Sequence, residues 1–517
     1  MGSNAWASFV AVFSALGAFL FGLDIGYIAP ILECASFKRD VVHIEAWQRI
    51  PDATVGFIVG VFSIGCILTT LPPVSGYFLD AWGRRSSIML GSGVFLVGCA
   101  IQALAACVTT MLLGRLIAGL SIGLLSSVVA LYQSELAPTS MRGALTSLYQ
   151  LMITFGILVA AFVDHMLVTR DGGWRWAIWL QALPAGSLLV VMPFLPRSPR
   201  WLVQKGRREE ALEALRTVRT EAEAQEELQQ IVESCERALA LGEPRWPELF
   251  EGRVGRLLAI GVALQLLQQL VGMNAFMYFG PRIYASLGLN VNLYQTITNA
   301  VNFASTFPAL FLADRFGRRV LLVSSALGMT VACVAMAVLG QAFPAPGTSG
   351  AHVPRSWAAG QAIVAMIFLF VLNFAYGWGP MVWVYNSEIF PLRHRSWCVA
   401  ATACANWVGN YAIAQLTPVL LGGLGFGTFY VFAMFTLLAL ALALWLPETK
   451  GVMLEHIDEI FDQKFKLSAP GSKAQVEPTR YGAASSSTPE DVQGLVQGAS
   501  ACGAGASSSE ADAPGHL

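Results

Sequence analysis

Gly76-Tyr77-Phe78-Leu79-Asp80-Ala81-Trp82-Gly83-Arg84-Arg85 and Phe311-Leu312-Ala313-Asp314-Arg315-Phe316-Gly317-Arg318-Arg319 are two copies of one charged signature, set far apart in a chain of 517 residues. Each copy is a short polar turn between two apolar runs. A second pair repeats later and in the same order: Ser134-Glu135-Leu136-Ala137-Pro138 with Arg142, and Ser387-Glu388-Ile389-Phe390-Pro391 with Arg395. Two independent matches in one order indicate an internal duplication. Glycine permits a tight turn, and Asp and Arg at neighbouring helix ends can pair across it. Arg-rich short loops enforce topology on their own. Four matched loops favour a stronger reading, in which charge-paired latches hold two bundles together in one state and part in the other.

Working outward from these turns, 55% of the chain is hydrophobic and only 13% is charged, a balance that leaves too little polar surface for a water-soluble fold. About 20 apolar residues cross a bilayer as a helix. The sequence offers twelve such runs, over 8–30, 54–78, 87–108, 111–133, 144–167 and 175–196, then 257–280, 293–313, 319–343, 358–386, 396–421 and 427–446. The expected class is an all-α membrane protein of twelve transmembrane helices in two six-helix, pseudo-symmetric bundles. Expected divisions are residues 1–196 and 257–446 for the bundles, and 197–256 for a linker of amphipathic helices, charged and rich in Ala, Leu and Glu. Residues 447–466 are expected to form a short terminal helix. Residues 467–517, rich in Ser, Ala, Gly and Pro, bury too little to offset ordering entropy and are expected to be disordered.

Arg84, Arg85, Arg142, the 197–256 stretch, Arg315, Arg318, Arg319, Arg393 and Arg395 all follow even-numbered runs, whereas the opposite side carries chiefly Lys38, Arg39, Arg49, Arg170, Arg175 and Arg355. By the positive-inside rule both termini are cytosolic. The first run starts too early for a cleavable signal, and plasma membrane is the default location. Of nine Cys, most fall in or beside apolar runs and Cys34 stands alone, so no disulfide framework or metal spacing emerges. No cofactor, metal or nucleic-acid partner is expected. No nucleophile–base pair suggests an enzyme.

The seventh run carries Gln265, Gln268, Gln269 and Asn274, whose spacing places amides on adjoining turns of one face. Gln150, Asn302, Asn406 and Asn410 add amides from other runs, and Trp383 adds an aromatic plane. Neutral amides that donate and accept, beside an aromatic platform, suit a ring of hydroxyls with an apolar face. Interhelical hydrogen bonding is the alternative use of any one of them. Phe374-Ala375-Tyr376-Gly377-Trp378-Gly379-Pro380 breaks the tenth run and suits a hinge. Asp24, in Phe21-Gly22-Leu23-Asp24-Ile25-Gly26, is an ionisable group within an apolar span, and such groups are costly and point to function. The partner expected for it is Arg115, in the fourth run. Burial disfavours a carboxylate's charge and a nearby arginine favours it, so conformation could set its protonation. His43, His165 and His394 lie near or outside helix ends, where solvated roles are expected.

With Arg197-Ser198-Pro199-Arg200-Trp201-Leu202, Pro447-Glu448-Thr449-Lys450-Gly451 and Gln268-Gln269-Leu270-Val271-Gly272-Met273-Asn274, the paired signatures resemble the sugar porter family of the major facilitator superfamily over roughly residues 8–462. Arg197 departs from that pattern, where the family usually has Glu. The resemblance implies the major facilitator fold and a monosaccharide, most simply a hexose, as substrate. It maps Gln150, Gln268, Gln269, Asn274, Asn302, Trp383 and Asn410 onto sugar-contacting positions. It assigns proton coupling to Asp24 and Arg115, since plant hexose-proton symporters and the bacterial xylose-proton symporter are similar in carrying Asp and Arg there. It implies an inner gate of Asp80, Arg84, Arg85, Glu135, Arg142, Asp314, Arg315, Arg318, Arg319, Glu388 and Arg395. A monomer in a lipid bilayer, working as a proton symporter, is the expectation. A passive uniporter is the alternative, and a non-transporting sugar sensor is a third reading.

Overall fold

The computed structural model describes residues 3–136, 142–168, 170–240, 246–342, 357–391, 394–450 and 461. The expected tail at 467–517 and most of the expected helix at 447–466 lie outside the described residues, as does Cys502. Every regular element among the described residues is helical.

The first half comprises α1 (Ser3–Ser14), α2 (Leu16–Glu33), α3 (Asp52–Thr70), α4 (Gly83–Ala103), α5 (Val108–Leu136), α6 (Arg142–Leu167), α7 (Gly173–Leu180) and α8 (Ala182–Val191). Two linker helices follow, α9 (Arg208–Arg216) and α10 (Glu221–Ala240). The second half comprises α11 (Gly252–Leu270), α12 (Met273–Ser286), α13 (Val291–Phe316), α14 (Arg318–Ala342), α15 (Trp357–Tyr376), α16 (Trp378–Ile389), α17 (Arg395–Leu424) and α18 (Thr428–Trp445). Ten helical stretches are long and apolar enough to cross a membrane, and one of them, Arg395–Trp445, contains both α17 and α18. The helix α13 is not among the ten. Buried Gln295, Thr298, Asn299, Asn302 and Thr306 make it too polar, although its 26 residues rise roughly 39 Å, enough to span.

Several runs that read as single helices are broken. The first divides at Ala15, the sixth at Gln181 and the seventh at Val271–Gly272, where Gly272 adopts φ +97°. The tenth breaks at Gly377, as the Gly and Pro pattern predicts. There the freed N–H of Trp378 is taken up by Ser325 Oγ at 3.2 Å, so the break leaves no unpaired amide at that point.

Small residues allow close packing without a hydrophobic driving force between helices. A Cβ on Gly22 of α2 would collide with the Ile153 carbonyl of α6, so these backbones touch. That contact fixes the depth of Asp24 two residues later. The two halves meet through α3 against α17 and through α6 against α13, with α12 also touching α2. The linker has its own small core, in which Trp201, Leu202, Leu215 and Ile231 pack together, and Arg219 ties it to the carbonyl of Leu136.

Candidate functional site

The duplicated signatures make matching contacts. Gly83 (φ +79°) and Gly317 (φ +93°) turn the chain into α4 and α14, a left-handed region that favours glycine. In the first half Arg84 donates to Glu135 at 2.9 Å and to the Leu79 carbonyl at 3.3 Å. In the second, Arg318 donates to Glu388 at 3.0 Å and to the Ala313 carbonyl at 3.1 Å. Ser198 hydroxyl donates to Glu135, and Thr449 hydroxyl donates to Glu388 at 2.7 Å. Arg85 holds the carbonyls of Pro193 and Leu195, while Arg319 holds that of Leu444. Each of these pairs closes within its own half. The arginines therefore reach the glutamates of the second motif, which lie on the adjoining helix end. Arg315 is exposed and Asp80 accepts a backbone contact from Trp201 Nε1. The side chains of Arg142 and Asp314 lie outside what is described.

Between the halves lies a cavity of about 330 Å³, lined by Tyr149, Gln150, Gln265 and Trp383 and running to Arg200, Glu388 and Arg395 at the signature end. At the far end the halves touch. Ser63 hydroxyl donates to Asn410 at 2.9 Å, Gln415 donates to the Gly56 carbonyl at 2.8 Å, and Phe21 and Phe62 pack on Trp407. Arg282 of the second half stands 3.7 Å from Glu33 of the first.

Five of the amides expected from sequence, Gln265, Gln268, Gln269, Asn274 and Asn406, converge, and Asn406 is their hub. It donates to Gln265 at 2.7 Å and to Gln268 at 2.6 Å, and accepts from Gln269 at 2.9 Å. Asn274 donates to Gln269 at 2.6 Å. Gln268 in turn donates to the carbonyls of Trp378 and Gly379, at the start of α16. Asn410 takes bonds from Ser63 and from Tyr278 on one oxygen, while its amide nitrogen is buried and unpartnered. Trp383 lies 6.4 Å from the ring of Tyr149, whose buried hydroxyl also lacks a partner. Asn302 is buried on α13, and Gln150 lines the cavity. Unpartnered buried donors and acceptors are costly, so the Tyr149 hydroxyl on the cavity wall marks where a polar ligand can complete the bonding.

Asp24 and Arg115 face each other in the first half, 2.8 Å apart, and each side chain is 1% exposed. Arg115 is further fixed by the Ile58 carbonyl at 3.2 Å, the Tyr27 hydroxyl at 3.1 Å and the Phe62 ring at 4.6 Å. The Tyr27 hydroxyl donates to the Gln102 amide oxygen at 2.5 Å. The second carboxylate oxygen of Asp24 is buried without a hydrogen-bond partner. One oxygen is thus clamped by Arg115 and the other is bare.

Sequence reasoning missed Asp164, a second carboxylate in an apolar helix, 2% exposed with both oxygens unpartnered. The signal was present, an Asp inside the 144–167 run. His394, expected to be solvated, is instead buried and 3.1 Å from Glu248. Cys34 gives its thiol to the Val168 carbonyl at 3.2 Å. Outside the spans, Asp40 is partly buried, which opposes its charge. Hydrogen bonds from Arg175 (2.6 Å) and Arg39 (3.1 Å) outweigh that and hold its carboxyl below the usual range.

The family model described as Sugar (and other) transporter matches residues 10–461. The chain is 36% identical over 479 residues to the galactose-proton symporter of Escherichia coli (strain K12), covering 91% of this chain and 97% of that protein. It is 35% identical over 458 residues to the arabinose-proton symporter of the same strain, covering 87% and 92%. Among solved structures, the proton:xylose symporter XylE of E. coli, a major facilitator superfamily protein, superposes with a TM-score of 0.74 at 28% identity, covering 88% of this chain and 99% of that one. This is a family of carriers and not of enzymes. The chain belongs to the sugar transporter family of the major facilitator superfamily.

Proposed function

We propose that this chain moves a monosaccharide, a hexose in the first instance, across a membrane by alternating access, driven by a proton carried on Asp24. The observation that carries the proposal is the Asp24–Arg115 pair, sealed from solvent with one carboxylate oxygen bare. Protonation neutralises Asp24, frees Arg115 and loosens the first half, and deprotonation restores the pair. The galactose-proton and arabinose-proton names of two relatives support this coupling. Gln150, Gln268, Gln269, Asn274, Asn302, Trp383 and Asn410 form the sugar site in this reading. Ten apolar stretches, with α17 and α18 separated and α13 added, support twelve spans in two six-helix bundles, 1–196 and 257–446, joined by the 197–256 linker.

The signature end faces the cytosol in this reading, as the arginine distribution requires, with both termini on that side. The cavity opens toward that end and the halves touch at the other, so the protein is inward-facing. In this reading Asp80, Arg84, Arg85, Glu135, Arg142, Asp314, Arg315, Arg318, Arg319, Glu388 and Arg395 belong to the inner latch, of which the Arg84–Glu135 and Arg318–Glu388 pairs close within their own halves. The carrier works as a monomer in the plasma membrane.

One proton entering down 100 mV supplies about 2.3 kcal/mol, enough for roughly fifty-fold accumulation at equal pH. Proteoliposomes with an imposed potential and radiolabelled hexose test this. Accumulation above equilibrium, abolished by Asp24→Asn while sugar exchange continues, is expected. Equilibration without accumulation in the unaltered protein would instead make it a uniporter.

A further inference from the structure

Two amides of the cavity lining each keep one buried atom without a partner once the amide hub is satisfied. Gln265 gives its oxygen to Asn406, and its amide nitrogen is buried with no partner. Asn386 spends its amide nitrogen on the Gly261 carbonyl at 3.3 Å, and its oxygen is buried with no partner. Both line the cavity, and they are 0% and 2% exposed. They are also neighbours. A Cβ on Gly261 would lie 3.0 Å from the Asn386 oxygen, and Gln265 is one turn further along the same face of α11. Gln265 stands three residues before Gln268, and Asn386 three residues after Trp383, each roughly 4.5 Å nearer the signature end.

An orphaned donor beside an orphaned acceptor matches one chemical group, a hydroxyl, which accepts through its lone pairs and donates through its proton. Structural burial alone would give these atoms protein partners, as it does for nearly all buried polar groups. We propose that Gln265 and Asn386 form a second hydroxyl-binding subsite, one helical turn below the Trp383 platform, which holds the sugar on its way out toward the signature end. Gln268 and Gln265 share the Asn406 amide, so the upper and lower subsites are rungs of one ladder. A sugar can then move between them by exchanging one partner at a time, without a dry gap between.

This inference rests on the transport reading, and its test separates the two. The full chain is reconstituted, and sugar affinity is measured from each side by flux of labelled hexose. Asn386→Leu and Asn386→Ala, which leave the bonds to Asn406 in place, are both expected to raise the KM on the release side roughly 2- to 10-fold, the effect of one hydrogen bond. The KM on the loading side is expected to stay within about twofold on the same grounds. Across a series of monodeoxy sugars, the penalty for removing one particular hydroxyl is expected to shrink in both variants. An unchanged release-side KM in both, or equal rises on the two sides, overturns the subsite. Asn386→Ala, the smaller substitution, decides the matter if Asn386→Leu does not assemble. Absence of saturable sugar flux in the unaltered protein overturns the transport reading itself.

Discussion

Glu448 and Arg197 hold matching places in the two halves and carry opposite charge. Each follows a proline whose carbonyl accepts a tyrosine hydroxyl, Tyr385 to Pro447 and Tyr132 to Pro196. Glu448 accepts the backbone N–H groups of Arg318 at 2.8 Å and Arg319 at 3.0 Å, at the positive start of α14. The start of α4 has no side-chain cap, and Arg197 lies instead over the Trp201 ring at 5.4 Å. Arg197→Glu supplies the missing carboxylate, worth about 1 kcal/mol. The expected result is a thermal midpoint higher by roughly 2 °C, with Arg197→Ala gaining less. A midpoint that does not move would show that Arg197 is no vacancy in the capping pattern.

Removing one member of the Asp24–Arg115 pair strands the other inside the first half. Asp24→Asn leaves a guanidinium with no counter-charge and costs roughly 3–5 kcal/mol. Asp24→Asn with Arg115→Met removes both charges, so the double variant is expected to be more stable than Asp24→Asn alone. Denaturation in detergent gives the order. If the losses simply add, the two side chains are energetically independent and the 2.8 Å contact is incidental. Concentrative uptake is expected to be absent from Asp24→Asn, from Arg115→Met alone and from the double variant.

The fold was legible because hydropathy reports directly on spans: the run expected over 111–133 lies in the helix Val108–Leu136, and that over 319–343 is Arg318–Ala342. Helix breaks were legible only where Gly and Pro cluster, as at Gly377. The break at Ala15 has no such signal, since alanine favours helix and packing decides. In the site, residue type revealed that amides were needed, and the period placed Gln265 and Gln268 on one face. The choice of Asn406 as hub was not legible, because it depends on which rotamers three helices present to one another. His394 was misread for a similar reason: its position at a helix end says nothing of Glu248, 146 residues away in the chain.

Glu33 and Arg282 join the halves at the far end, where they must separate if that end opens. The pair is long, 3.7 Å, and Glu33 also binds Lys38 at 3.2 Å, so its contribution is modest, about 0.2–1 kcal/mol. Glu33→Gln is expected to raise the far-end-open population by at most roughly five-fold. Spin labels at Ala46 and Ala285, exposed on the two halves, report the separation. High salt is expected to act in the same direction on the unaltered protein. Identical distance distributions in both proteins would remove this pair from the gating.

Asn406 is the residue whose loss reaches furthest within the amide site, because it orients three glutamines and has no reserve. Asn406→Ala leaves the oxygens of Gln265 and Gln268 without that donor and the nitrogen of Gln269 without that acceptor. The released amides turn toward one another or toward the carbonyls of the broken tenth run, and the geometry offered to a sugar is lost. With each bond worth about 1 kcal/mol, the expected weakening of sugar binding is roughly ten-fold or more, felt equally from both sides of the membrane. Asn406→Asp keeps the acceptor for Gln269 and removes only the donor, so it is expected to fall between. Equilibrium binding in detergent measures both variants. If Asn406→Ala binds sugar as tightly as the unaltered chain, the glutamines are held in place by packing alone, and the hub is a consequence of the site rather than its cause.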